Sequence, residues 1–281
     1  MLPFRKFLSG IFISGCMVSS AWAQDLSYAE LIAQGAASQE LPEYRDDLKR
    51  DLTTWDSGDL IALAAGPARL PKSFKTGVAS PLQNSDPNTI KEIVDLLVYQ
   101  VENRTSKNFA TIVLDDQFAG PEVFLMNNLI NDRTKNPALW DMLDLVDRDV
   151  RWMALRDKAA FERARPFEVD PALQPQIKVD TPSYPSLSAA RALAAADILS
   201  RLNPVCSAWY EGIARNVGEG RQIAGVNYAS DISAAKVLAD RVVQGLIAEG
   251  HLSEVAARVR DEAMNTRIPF KPCHFMAQQS D

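Results

Sequence analysis

From residue 87 to residue 265 apolar side chains recur at three- and four-residue spacing and scarcely ever alternate at two. That period belongs to amphipathic helices rather than strands. Ile90, Ile93, Leu96, Leu97 and Val101 form one stripe. Leu139, Met142, Leu143, Leu145, Val146, Val150 and Met153 form another. The spacing predicts helices over 121–131, 137–162, 188–202, 208–219, 231–248 and 253–265. Between them, Pro166, Pro171, Pro175, Pro182 and Pro185 crowd into 166–185. Proline lacks the donor a helix needs and clashes with the preceding turn, so this stretch reads as a loop. Upstream, 26–34 and 44–65 read as helical, with breaks at Pro42, Pro67 and Pro71. Gly77, Ser80, Pro81, Asn84, Ser85, Asp86 and Pro87 mark 72–88 as a loop. The expected fold is a single compact all-α domain whose loops carry any site. Its expected parts are a leader (1–23), an N-terminal extension (24–86), a helical domain (87–268) and a tail (269–281).

Composition narrows the function. With 47% hydrophobic residues the 281-residue chain can bury a large core. Its net charge of −6 disfavours general nucleic-acid binding, which needs a basic face. Three Cys and two His are a thin supply for a structural zinc site, so no metal is expected. Arg5 and Lys6, an apolar run from Phe7 to Val18 and the small residues Ser19, Ser20, Ala21 and Ala23 read as a secretory leader cut after Ala23. The destination is then the periplasm or the exterior. Ile13-Ser14-Gly15-Cys16 offers a rival reading, a lipoprotein box anchored at Cys16. Cleavage after Ala23 removes two basic residues and no acidic one, leaving −8. No later segment is apolar and long enough to span a bilayer. For Cys206 and Cys273, a disulfide and two free thiols are both open.

Three segments carry chemistry. Lys158 and Arg165 stand seven apart before Pro166. On one helix, ended by Pro166, they share a face and form a point charge beside a planar fork, suited to an oxyanion. Ser183-Tyr184-Pro185-Ser186-Leu187-Ser188 opens an Ala-rich helix, whose N-terminal N–H groups also suit an anion. Residues 220–231 read as a loop entering a helix. There Arg221 adds a cation, and Asp231 stands where it can accept a hydrogen bond from Asn227, four residues earlier. Taken singly, these also read as a solvated face and as helix caps on Ser186, Ser230 or Asp231.

Their order and spacing resemble the signature of the type 2 phosphatidic acid phosphatase superfamily, which also holds the vanadium haloperoxidases. The likeness is greatest to the bacterial class A non-specific acid phosphatases. That pattern is K-x6-R-P, then P-S-G-H, then S-R-x5-H-x3-D. Lys158, Arg165 and Pro166 match the first motif, Pro185 and Ser186 half of the second, Arg221 and Asp231 the third. The resemblance spans about residues 87–265. It implies an all-α fold and a phosphate cradle of Lys158, Arg165, Ser186 and Arg221. It implies no cofactor, and it permits a homo-oligomer.

The departures fall on the reacting groups. In the family, the His of the third motif attacks phosphorus, the Asp orients it, and the His of the second motif protonates the leaving alcohol. Here those His positions hold Asn227 and Ser188, Leu187 replaces the Gly, and Gly220 replaces the Ser. A carboxamide is not basic, and a hydroxyl does not titrate near neutrality. Loss of a nucleophile costs on the order of 10⁶ in rate in a comparable hydrolase. The two His, His251 and His274, lie outside all motifs. Asp141, Asp144, Asp147 and Asp149 read as a solvated face rather than cation ligands. The expectation is a pseudophosphatase that binds phosphate or a small phosphomonoester without hydrolysing it. Two alternatives stay open: an acid phosphatase with an altered site, and an interaction protein on a vestigial scaffold. A haloperoxidase is disfavoured, because the His that anchors vanadate is missing at 227.

Overall fold

A computed structural model describes residues 44–265, Phe270 and Cys273. They belong to a compact unit running from Glu43 to Asp281. The leader, Cys16, the helix expected at 26–34 and His274 lie outside the described residues. The described elements are helical: α1 (Ser57–Ala65), α2 (Pro87–Glu102), α3 (Ser106–Gln117), α4 (Glu122–Met126), α5 (Pro137–Phe161), α6 (Pro166–Val169), α7 (Leu187–Leu202), α8 (Ser207–Ile223), α9 (Ala229–Ala248) and α10 (Ser253–Asn265). Short 3₁₀ turns occur at Leu52–Thr54 and Pro204–Cys206. Among the described residues, β pairing is limited to the isolated bridges Lys49–Arg163 and Ile130–Phe270. No helix among them is long and apolar enough to cross a membrane.

The long helix α5 follows its apolar stripe from Pro137, which sits where a missing N–H costs nothing. Leu139, Leu143, Val146, Val150 and Met153 are buried along it. It packs with α7, α9 and α10, and α7 packs in turn on α8 and α9. Ala189, Ala190, Ala192, Ala194, Ala195 and Ala196 of α7 are all buried. Small side chains bring neighbouring backbones close, while larger ones on the partners, such as Tyr210, Leu238 and Val242, fill the core. At Gly218 of α8 a Cβ would lie 2.8 Å from Ile232 Cγ2 of α9, so a larger residue there would force the two helices or the Ile232 side chain to shift. Leu70, from the extension expected upstream of the domain, joins the same core. A disulfide joins Cys206 to Cys273, with Cα atoms 5.7 Å apart.

The structure corrects several expectations. Residues 44–65 do not form one helix. Asp51 and Asp56 accept from Thr53 N and Asp59 N, so their short side chains start new turns instead of continuing one. Over 121–131 only α4 is helical, because Asn128 takes a left-handed conformation at φ 60°. α3 was not anticipated; of its residues only Ile112 is buried, so its apolar stripe is weak. The proline-rich loop carries the four-residue helix α6, and α8 runs on to Ile223. The acidic run is not one solvated face. Asp149 is fully buried and accepts from Ala68 N at 2.7 Å, and Asp147 pairs with Arg191 at 2.7 Å.

Candidate functional site

A cavity of 270 Å³ gathers the three sequence segments. Lys158, Arg165, Lys178 and Arg221 line it, with Asp56, Asp59, Asp116 and Asp180, and with Thr181, Leu187, Ser188 and Asn227. Lys158 and Arg165 do not meet by sharing a helix face, as expected. α5 stops at Phe161, where Glu162 turns left-handed at φ 52° and donates its N–H to Lys158 O. Arg165 lies beyond that reversal, and Pro166 begins α6 rather than ending α5. The loop 170–186 then folds back across both cations.

The cations are buried and largely served by backbone oxygens. Lys158 is 1% exposed, and its Nζ donates to Pro182 O and to Ser183 O at 3.2 Å. Burial, helped by the nearby Arg165, holds its pKa well below the usual lysine value. Arg165 donates through Nε to Thr181 O (2.8 Å), through Nη1 to Val226 O (2.7 Å) and Asn227 Oδ1 (3.2 Å), and through Nη2 to Thr181 Oγ1 (3.3 Å). Its pKa is lowered by burial first and by Arg221 second. Arg221 stands on the last turn of α8, not on a loop, and donates through Nε to Asn227 Oδ1 at 3.3 Å and through Nη1 to Asp116.

Asn227 sits among these groups with its carboxamide fully engaged. Oδ1 accepts from Arg165 and Arg221, while Nδ2 donates to Ser183 O at 2.8 Å and to Asp231 Oδ2 at 2.9 Å. The bond to Asp231 is the one the four-residue spacing suggested. Asp231, fully buried, also accepts from Tyr228 N at 2.9 Å and from Arg163 Nη1 at 2.8 Å. Ser188 and Leu187 line the cavity at the start of α7. Ser186 does not line it: its Oγ is buried without a partner, and its N–H donates to Asp231 O at 3.1 Å. His251 pairs with Glu249 at 3.1 Å in the turn after α9 and is not among the lining residues.

Sequence reasoning missed Arg163, Asp116 and Thr181. Arg163 completes the support of Asp231 and stacks over the Tyr228 ring at 3.8 Å. A second cation two residues before Arg165 was visible in the sequence, but an extended strap alternates its side chains and a helix does not. Asp116 comes from α3, more than a hundred residues from Arg221, and nothing local marks it. Among the described residues no group of three or more His, Cys, Asp or Glu side chains is placed to hold a metal.

Neither a protein-family model nor a curated protein matches the sequence. Among solved structures, the chain is similar to a transmembrane PAP2-type phosphatidylglycerolphosphate phosphatase from Bacillus subtilis. The two share 17% identity at a TM-score of 0.43, over 68% of this chain and 93% of that one.

Proposed function

We propose that this chain is an exported, phosphatase-like protein that binds phosphate or a small phosphomonoester and does not hydrolyse it by a histidine route. Two things support binding. Three cations converge on one cavity, and their order in sequence is that of the class A acid phosphatase motifs. Hydrogen bonds within the protein occupy two N–H groups of Lys158 and two of Arg221, so donors remain for a ligand.

The observation that carries the loss of hydrolysis is the Asn227 carboxamide. At the nucleophile position, its oxygen accepts from two guanidinium groups and its nitrogen donates to Ser183 O and Asp231. A carboxamide nitrogen delocalises its lone pair into the carbonyl and has none to offer phosphorus, and its two N–H groups are already engaged. Asp231, which would orient an imidazole in the family, holds an amide instead. Across the cavity Leu187 and Ser188 supply no group that titrates near neutrality.

The experiment pairs two readings on one sample. Inorganic phosphate should raise the melting temperature, while p-nitrophenyl phosphate at acid pH should not be turned over. Absence of any phosphate-induced shift sinks the binding half. Turnover that Asn227→Ala abolishes would make this an active phosphatase with an altered site. Partner binding that survives Arg165→Ala, with no phosphate shift in the parent, would favour an interaction protein.

A further inference from the structure

Four carboxylates line the cavity beside its cations, and three are engaged away from Lys158, Arg165 and Arg221. Asp59 pairs with Arg151 at 2.8 Å, Asp180 with Lys178 at 3.3 Å, and Asp56 accepts from Asp59 N at 3.0 Å to start α1. Asp116 differs. Among the described residues it is the lining carboxylate bonded to a cation of the cradle, through Arg221 Nη1. Its side chain is 33% exposed, against 8% for Arg221. The carboxylate therefore reaches Arg221 from the wet side of the cavity, while Asn227 holds the same guanidinium from the buried side. The next residue back, Asp115, lines a separate cavity of 210 Å³ with Glu219, so α3 aims two adjacent carboxylates at two different places.

A carboxylate on the exposed side of a guanidinium presents the oxygen pair that a bound oxyanion would present. Resting on the oxyanion-binding reading above, we propose that Asp116 is a resident competitor that occupies the Arg221 arm of the cavity and sets which ligands enter. An incoming anion must displace the carboxylate from Arg221. A dianionic phosphate, which can reach Lys158 and Arg165 as well, has the means to do so. A monocarboxylate gains little over the one already there. Asp116 thus acts as a specificity-determining residue, lowering the affinity for every anion and discriminating against weakly charged ones.

The test is titration calorimetry of the full chain with inorganic phosphate and with acetate, on the parent, Asp116→Asn, Asp116→Ala and Asp116→Asn/Arg221→Ala. Asn keeps the size of the side chain and removes its charge. The expected result is phosphate binding about tenfold tighter in both single variants than in the parent, with acetate binding appearing in them. The Arg221→Ala double variant should lose that gain. Phosphate binding that is unchanged or weaker in Asp116→Asn, with the parent still binding, overturns the competitor role alone and makes Asp116 a prop for Arg221. No phosphate binding in the parent or either single variant overturns the oxyanion reading and this inference with it. Binding that appears only on removing Asp116 supports the competitor role and overturns phosphate binding by the parent. Thermal unfolding of each variant checks its fold; should Asn misfold, the Ala variant decides.

Discussion

The cavity has two sides that share a boundary at Asn227 and differ in what they keep. On one side, Lys158, Arg165 and Arg221 stand buried, each tied to oxygens of the loop, of Asn227 or of Asp116. On the other, the positions that align with the two His and the Gly of the resembled motifs hold an amide, a hydroxyl and an isobutyl group, Asn227, Ser188 and Leu187. The two sides are held by different forces. Buried cations need acceptors whether or not a ligand ever arrives, because an unpaired buried charge costs several kcal/mol. A nucleophile carries no such obligation. The electrostatics that fold the cation side therefore resist change, while the chemical side can be replaced by any group that fills its bonds. Asn227 does so: it occupies the position and satisfies two arginines, a carbonyl and a carboxylate at once.

If that contrast is right, the largest effect should come from the boundary's anchor. Asp231→Ala leaves Arg163 and the Asn227 amide without their buried acceptor and should cost about 3–5 kcal/mol of stability, read as a fall in denaturant midpoint. A cost within 1 kcal/mol would show that the network does not hold the site. Next, Arg165→Ala should abolish phosphate-induced stabilisation, worth about 2.7 kcal/mol in the parent at a hundred times its Kd. Persistence of the melting shift would place the anion elsewhere. Asn227→Ala orphans N–H groups on two arginines and takes one of two donors from the Ser183 carbonyl, which keeps Lys158, without removing a charge. Its expected cost is about 2 kcal/mol of stability, with no change in hydrolysis, both measured on the same preparation.

The smallest effect lies outside the cavity and serves as its control. Burial pushes the Asp115 carboxyl up to about 6. A carboxyl that binds its proton more tightly when folded contributes stability below its unfolded value, lost as pH rises through about 6. Asp115→Asn should therefore melt a few degrees above the parent at pH 7 and match it near pH 3, with phosphate binding untouched. A gap of equal size at both pH values would contradict the shift.

The helical layering was legible because α2 and α5 carry clear apolar stripes and α7 an Ala-rich run, patterns that need only the chain's own spacing. The residues of the cavity were legible one at a time: Lys158, Arg165, Arg221, Asn227, Ser188 and Asp231 were all named in advance. How they meet was not. Glu162 gives no sequence sign of a left-handed turn, so the two cations read as helix neighbours when a reversal brings them together. Ser186 read as a ligand because Pro185-Ser186 matches half of the second motif; here its hydroxyl is buried without a partner. Asp116 and Arg163 escaped because their roles depend on contacts across the fold rather than within a motif.

The central claim is that the binding side works and the chemical side does not. Its most direct test is hydrolysis of p-nitrophenyl phosphate at acid pH by the parent and by the triple variant Leu187→Gly, Ser188→His, Asn227→His. The account predicts no turnover above the uncatalysed rate in the parent and measurable turnover in the triple variant, inhibited by inorganic phosphate. Turnover in the parent that Asn227→Ala removes would contradict it, since the carboxamide would then be part of a working site.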